Sequence, residues 1–353
     1  MRALHHRSLV VGLLALGLAA GTGLPAAAVP AAAASAVASV VSAAPGDGPT
    51  VSVSRTGGRT AARTARKLYV DPTSQAASAA AAARRDGRRS TAKKLDVIAT
   101  APQARWFGTW NQTRTVKAEV RAYVKAAQKK KRVAQLVLYA IPDRDCGGWS
   151  SGGFSATEYR AWIRQVAAGL KGSKAVVVLE PDSLGHTCGG SQRTALLKDA
   201  TSRLAKAGAW VYLDGGHSRW NSPATAAKRL KAAGVSKARG FAVNVSNFNS
   251  TKAEVAYGRK VAAQLAKRGV SSTHRKFVVD TSRNGRATAN GQWCNPGGQG
   301  LGLRPRWVSS GGVDAYLWVK RPGESDGACG GGPAAGEWFE SYALGLVARR
   351  VKG

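Results

Sequence analysis

The chain has 353 residues, with 53 Lys and Arg against 19 Asp and Glu, a formal net charge of +34, and ten Trp. That length bounds it to one large barrel domain or two ordinary ones. The charge draws it to anionic surfaces such as nucleic acid, acidic polysaccharide, lignin-like polymers or cell envelopes without choosing among them, and outside the N-terminal stretch no segment could span a bilayer as a helix.

Arg2 and Arg7 give a basic start, residues 9–18 an apolar stretch, and Ala-rich tripeptides between about 26 and 36 offer cleavage sites. This predicts a secretory signal over 1–35. The stretch is short for a membrane anchor, and Pro25 and Pro30 follow it closely. Residues 36–66 are Ala, Ser, Gly, Thr and Arg with little periodicity, which predicts a flexible leader. One domain is expected over 67–353, without a second linker or an internal repeat.

Seven apolar runs then predict seven strands. The first is LDVIAT (95–100), followed by a helical pattern over 116–130. AQLVLYAIPDRD (134–145) comes next, and Ser155-Ala156-Thr157-Glu158 resembles a capping box before a helix over 159–170. AVVVLEPDS (175–183), WVYLDGGH (210–217), GFAVNVSN (240–247), KFVVDTSRN (276–284) and DAYLWVKRPGESD (314–326) complete the set. Helices are predicted over 191–206, 224–233, 252–267 and 335–351. Continuous Val/Ile/Leu runs are what strands covered on both faces look like, and strand–helix alternation argues for parallel pairing. The fold class is α/β, and a β/α barrel is expected, with an open doubly wound sheet as the pattern's alternative. In such barrels chemistry sits where the strands end.

Eight of the 19 carboxylates lie at those ends: Asp143, Asp145, Glu180, Asp182, Asp214, Asp280, Glu324 and Asp326. Any one of them could cap a helix or neutralise an arginine. The set points to a carboxylate-lined cleft. In Asp143-Arg144-Asp145-Cys146, Arg144 is expected to pair with one of its two neighbours. Asp182 emerges from an apolar strand end, where desolvation favours its neutral form, and a nearby Asp145 would raise its pKa further. A proton held near neutral pH is what a general acid needs. Lys320, Glu324 and Asp326 share a Gly/Pro-containing loop before Cys329.

Several tryptophans fall in polar segments: Trp106 and Trp110, Trp149, Trp220, and Trp293. Indole rings stack on the apolar faces of sugars while leaving the N–H free. His186, His217 and His274 form no H-E-x-x-H or close pair, so no metal site is expected, and there is neither a G-x-S-x-G elbow nor a phosphate-binding loop. Export would place the four cysteines in an oxidising setting, where they read as two disulfides with three connectivities open. Their wide spacings contain no C-x-x-C metal pair.

At these residues the chain resembles glycoside hydrolase family 6, the cellulases acting on β-1,4-glucan. The resemblance runs from about Tyr69 to the C-terminal helix, through VLYAIPDRDC, VLEPDSL, YLDGGHSRW, NGQWC and LWVKRPGESDG in the family's order. It implies a distorted, seven-stranded parallel β/α barrel, a single catalytic domain, secretion, inversion at the anomeric carbon and no cofactor. It also implies Asp182 as general acid, Asp145 as the residue raising the acid's pKa and stabilising positive charge, and Asp326 as the proposed base. Tyr139 and Ser151 would flank the distorted sugar. Trp106, Asp214, His217, Trp220, Asn244, Trp293, Lys320 and Glu324 would bind glucan, and Cys146 would pair with Cys188 and Cys294 with Cys329. Compact segments after Asp145 and between Cys294 and Cys329 resemble the endo-acting, open-cleft branch, with a cellobiohydrolase or a non-catalytic glucan binder as alternatives. The expected partner is β-1,4-glucan, met by a monomer with no membrane anchor after signal removal. No specific nucleic-acid binding is implied, although the charge would attract anionic polymers.

Overall fold

The computed structural model describes residues 67–286 and 291–351, which fall in one folded unit. The expected signal and leader lie outside the described residues.

Eight strands form a single sheet in the order β1 (Arg105–Gly108), β2 (Gln135–Tyr139), β3 (Val176–Leu179), β4 (Trp210–Asp214), β5 (Gly240–Val243), β6 (Lys276–Asp280), β8 (Val313–Leu317) and β7 (Arg306–Ser310). The first seven in that order are mutually parallel, and β7 pairs antiparallel with β8. The sheet curls into a distorted barrel that does not close by a ladder. Across the gap the Ala104 N–H donates to the Trp318 carbonyl (3.0 Å), and Arg321 Nε returns a bond to the Ala104 carbonyl (2.8 Å).

Alternate strand residues enter two separate cores, as a period of two requires. Val137, Val176, Val178, Tyr212 and Val278 fill the barrel. Leu136, Leu138, Val177, Leu179, Val211 and Phe277 face outward into a second core under the helices. Those helices are α3 (Val116–Lys129), α4 (Ala156–Leu170), α5 (Gly190–Lys206), α6 (Pro223–Ala232) and α7 (Thr251–Lys267). The capping box forms as expected: Ser155 Oγ accepts from the Glu158 N–H and the Glu158 carboxylate from the Ser155 N–H. Gly240 opens β5 because a Cβ there would lie 1.6 Å from the Lys276 carbonyl oxygen.

The first expected strand is corrected. LDVIAT belongs to helix α2 (Arg89–Ala99), where Ala92, Leu95, Ile98 and Ala99 are buried at three- and four-residue spacing. The seventh parallel strand is RWFG, β1, which brings Trp106 onto the barrel instead of into a loop. Helix α1 (Gln75–Arg85) and strand β7 have no counterpart in the expected elements. Helix α8 is confined to Glu340–Ala348, shorter than the expected 335–351. It packs with α1, α2 and Trp318 in a third apolar cluster.

Candidate active site

The strands end in residues with unusual backbones. Asp143, Asp145 and Cys146 after β2, Glu180 and Asp182 after β3, and Asn244 and Ser246 after β5 all have φ between +46° and +66°. Such conformations cost about 1–3 kcal/mol each and gather at functional sites. Asp and Asn tolerate them best. The turns aim side chains into a cleft of about 1090 Å³ at the carboxyl ends of the strands. Of the expected site residues, Trp106, Tyr139, Asp145, Ser151, Asp182, His217, Trp220, Trp293, Lys320, Glu324 and Asp326 line it.

Asp182 opens onto this cleft. Its pKa is held well above the ordinary carboxylate value, first by burial and then by Asp214, Asp145 and Asp326. Asp214 lies beneath it, almost fully buried, and its Oδ2 accepts the Asp182 backbone N–H at 2.7 Å. Burial pushes Asp214 up to about 7, against the bonds it receives from Asp182 and Gly216 and with repulsion from Asp280 and Glu254. Among the described residues neither carboxyl forms an ion pair with Lys or Arg, and because the two act directly on each other they titrate as a pair rather than singly.

Asp145 is fixed from the other side. Its Oδ2 accepts from both the backbone N–H and the hydroxyl of Ser150 (2.9 Å each), and Ser150 Oγ also meets the Tyr139 hydroxyl at 2.9 Å. The turn is tight: a Cβ on Gly148 would lie 2.4 Å from Asp145 Oδ2. A Cys146–Cys188 disulfide ties it to the β3 loop, and Arg193 of α5 donates to the carbonyls of Asp143 (2.6 Å) and Pro142 (3.2 Å). Arg144 does not form the expected ion pair. Its guanidinium donates to the carbonyls of Tyr139, Ser150 and Ser151 and lies over the Tyr139 ring, so it braces the loop.

Asp326 has the opposite environment. Arg283 Nη1 donates to its Oδ2 at 2.7 Å, Lys320 Nζ stands 3.3 Å from Oδ1, and the Asn295 N–H donates at 3.1 Å. Burial acts to raise its pKa, but Arg283 and Lys320 outweigh burial and hold it below the usual carboxylate value. Arg283 is completely buried over the Phe248 ring. The second disulfide, Cys294–Cys329, ties the two segments that meet here. Asp280 lies behind, accepting the N–H groups of Ser246, Ser282, Val319 and Lys320.

Aromatic rings form the walls. Trp106 meets Tyr139 edge-on at 5.3 Å and is anchored through its indole N–H to the Val319 carbonyl. Trp220 stands between His186 (4.8 Å) and His217 (5.5 Å). His217 Nδ1 takes bonds from the Arg219 N–H and Asn249 Nδ2, which leaves the neutral ring's proton on Nε2. Burial, then Arg219, lowers its pKa to about 4. Trp110, Trp149 and Trp293 are 57 %, 55 % and 46 % exposed at the rim.

Two expected contact residues do not reach the cleft. Asn244 is fully buried, and its amide bonds the Asp280 carbonyl (2.9 Å) and the Asn249 backbone, so it joins strand ends. Asp214 is buried behind Asp182 and touches the cleft only through the bond to its N–H. Glu324 lines the cleft with its carboxylate already paired to Arg321 at 3.1 Å. Three residues were missed by sequence reasoning. Ser150, next to the expected Ser151, bridges Asp145 and Tyr139. His186 Nε2 stands 3.9 Å from Asp145 Oδ1. Arg283 neutralises Asp326, and its one signal was its place at the end of the sixth run. Among the described residues no group of three or more His, Cys, Asp or Glu is arranged to hold a metal ion.

The family model described as glycosyl hydrolases family 6 matches residues 63–350. The chain belongs to this family. Endoglucanase A of Cellulomonas fimi is 46% identical over 285 residues, which cover 79% of this chain and 60% of that protein. Endoglucanase 1 of Streptomyces halstedii is 42% identical over 291 residues, covering 79% and 88% respectively. The endoglucanase Cel6 from Mycobacterium tuberculosis, solved in complex with methyl-cellobiosyl-4-deoxy-4-thio-β-D-cellobioside, superposes with a TM-score of 0.74 at 41% identity over 81% of this chain and 98% of that one. The chain thus spans 60% of the Cellulomonas protein, less than two thirds of its length. The family match over 63–350 takes in the barrel that carries the strand-end carboxylates, and the Mycobacterium tuberculosis endoglucanase shares that fold.

Proposed function

We propose that the protein is a secreted, inverting endo-β-1,4-glucanase acting on cellulose or a related β-glucan. One observation carries the reading: within a single tryptophan-walled cleft, one carboxyl is driven towards its protonated form and another is locked as an anion. Pairs of titratable groups pushed apart in this way divide the acid and base tasks.

A glucan chain lies along the cleft, with sugar faces on Trp106, Trp220 and Trp293, and one ring is distorted toward an oxocarbenium-like shape. Asp182 gives its proton to the glycosidic oxygen as the bond to the anomeric carbon breaks. Asp145, oriented by Ser150, stabilises the positive charge and keeps the proton on Asp182 beforehand. Water attacks from the opposite face and passes its proton towards Asp326. A carboxylate bound by two cations is a weak base, which suits a relay through a second water over direct abstraction. Endo action is supported by the names of the two relatives, by the short turn after Asp145 and by the exposure of the rim tryptophans. Export is supported by the N-terminal composition and by two disulfides.

Asp182→Ala is expected to lower kcat on an unactivated β-glucan by about 10²–10⁴-fold, and NMR of the wild-type product to show the α-anomer first. Near-normal turnover by the variant would remove Asp182 from its role, and a β-anomer burst would reject inversion. A rapid fall in carboxymethyl cellulose viscosity is expected for internal cutting; cellobiose release at constant viscosity would indicate chain-end attack.

A further inference from the structure

The active site uses few of the cations behind the net charge of +34. Their placement follows the topology. Five consecutive segments enter the amino ends of β2 to β6: residues 129–134, 171–175, 206–209, 231–239 and 267–275. They carry Lys and Arg and not one Asp or Glu. The strand order β2-β3-β4-β5-β6 sets these segments side by side along one end of the barrel, opposite the cleft. The turn at Val235–Lys237 touches both α5 and the turn at Ser272–His274, so neighbouring segments meet. Lys130, Lys171, Lys174, Lys206, Lys237 and Lys267 are exposed. Among the described residues Arg239 is the only cation of these segments with a carboxylate partner, Asp314.

Cations near a helix C-terminus complement its dipole, which accounts for one residue per helix. It does not account for Lys129-Lys130-Lys131-Arg132, which continues past the end of α3, or for Lys174 and Lys237 beside the next strands. Like charges gathered on one face repel each other unless a polyanion covers them. We propose that this end of the barrel is a docking surface for a carboxylate-bearing polysaccharide of the polyuronate type, bound by ion pairing. Among the described residues the exposed large apolar side chains are Trp110, Trp149, Trp293 and Val351, none of them in these segments. The aromatic pair at this end, Trp210 and Trp307, is half-buried, with Arg239 over the Trp210 ring and the two indoles edge-on at 5.4 Å, so it offers no open platform for stacking single-stranded bases, and no exposed apolar anchor for a membrane surface lies in these segments. This surface and the cleft lie at opposite ends of the barrel, so a polymer held here leaves the cleft open to an uncharged glucan. The surface does not depend on what the cleft hydrolyses.

The test measures binding of the full chain to immobilised polygalacturonate as salt is raised. Four Lys→Gln changes, one in each of the first four segments, at Lys130, Lys174, Lys206 and Lys237 are compared with four on exposed lysines elsewhere, Lys93, Lys94, Lys117 and Lys252. Unfolding midpoints establish that both variants fold. The first set is expected to weaken binding about tenfold or more at low salt and to flatten the salt dependence, while the second leaves both near wild type. A soluble cello-oligosaccharide is expected not to displace the polymer. Equal losses in the two variants, displacement by the oligosaccharide, or tighter binding to duplex DNA at matched charge and salt would each overturn the proposal.

Discussion

Asp182 and Asp326 are the same residue type in one cleft, and their neighbours give them opposite protonation. Asp182 has carboxyls around it and its pair partner Asp214 beneath it. Asp326 has Arg283 and Lys320. The proposed chemistry needs Asp182 protonated and Asp326 ionised. Activity is therefore lost as pH rises through the raised pKa of Asp182, and as pH falls through the depressed pKa of Asp326. The profile is expected to be broad, with its acid limb below the ordinary carboxylate range. Asp214→Asn keeps an acceptor for the Asp182 N–H and removes a charge that holds its proton. In that variant the alkaline limb of kcat/KM is expected to move to lower pH. A limb that stays where it is would separate Asp214 from the acid's protonation.

At the level of elements, the site is a set of βα turns held by staples rather than by long loops. The β2 turn carries three left-handed residues in a row of four and depends on the Cys146–Cys188 link, Arg144 and Arg193 to stay in place. Cys146→Ser with Cys188→Ser reopens a span of 42 residues. Loss of the link is expected to cost about 2–4 kcal/mol of stability, read from denaturant midpoints. It also lets Asp145 drift from Ser150, so kcat is expected to fall more than KM rises. A double variant with wild-type kcat would show that the turn holds itself.

Across the whole molecule, the buried carboxyls tie stability to pH. Burial raises Glu180 and Asp214 to about 7 and raises Asp182, Asp280 and Glu254 as well. A carboxyl whose folded pKa exceeds its unfolded value stabilises the fold fully below the unfolded pKa, and that stability is lost as pH rises through the folded pKa, at up to about 1.4 kcal/mol per pH unit and group. His186 and His217, lowered by burial, act the other way, losing stability as pH falls below about 6.5. Five carboxyls outweigh two histidines, so the unfolding midpoint is expected to be higher at pH 5 than at pH 8 at constant ionic strength. A higher midpoint at pH 8 would mean that the carboxyls are relieved by solvent.

The amino-acid sequence by itself determined the α/β alternation, six of the seven parallel strands, the helices from α3 to α7 and the strand-end position of the reactive carboxylates. These rest on local chemistry: doubly covered strands need unbroken apolar runs, and helices need their caps and spacing. LDVIAT shows the limit, because six apolar-rich residues fit a strand or one face of a helix until α1 and α8 are packed against them. RWFG shows the same limit in reverse, since its four residues become a strand only by pairing with β2. Tertiary structure alone decided that Asn244 binds backbone, that Ser150 rather than Ser151 steadies Asp145, and that Arg283 faces Asp326 across 43 residues of chain. Protonation in the cleft belongs to that second class. A pKa depends on distance and burial between groups far apart in the chain, and those exist only once the barrel has folded.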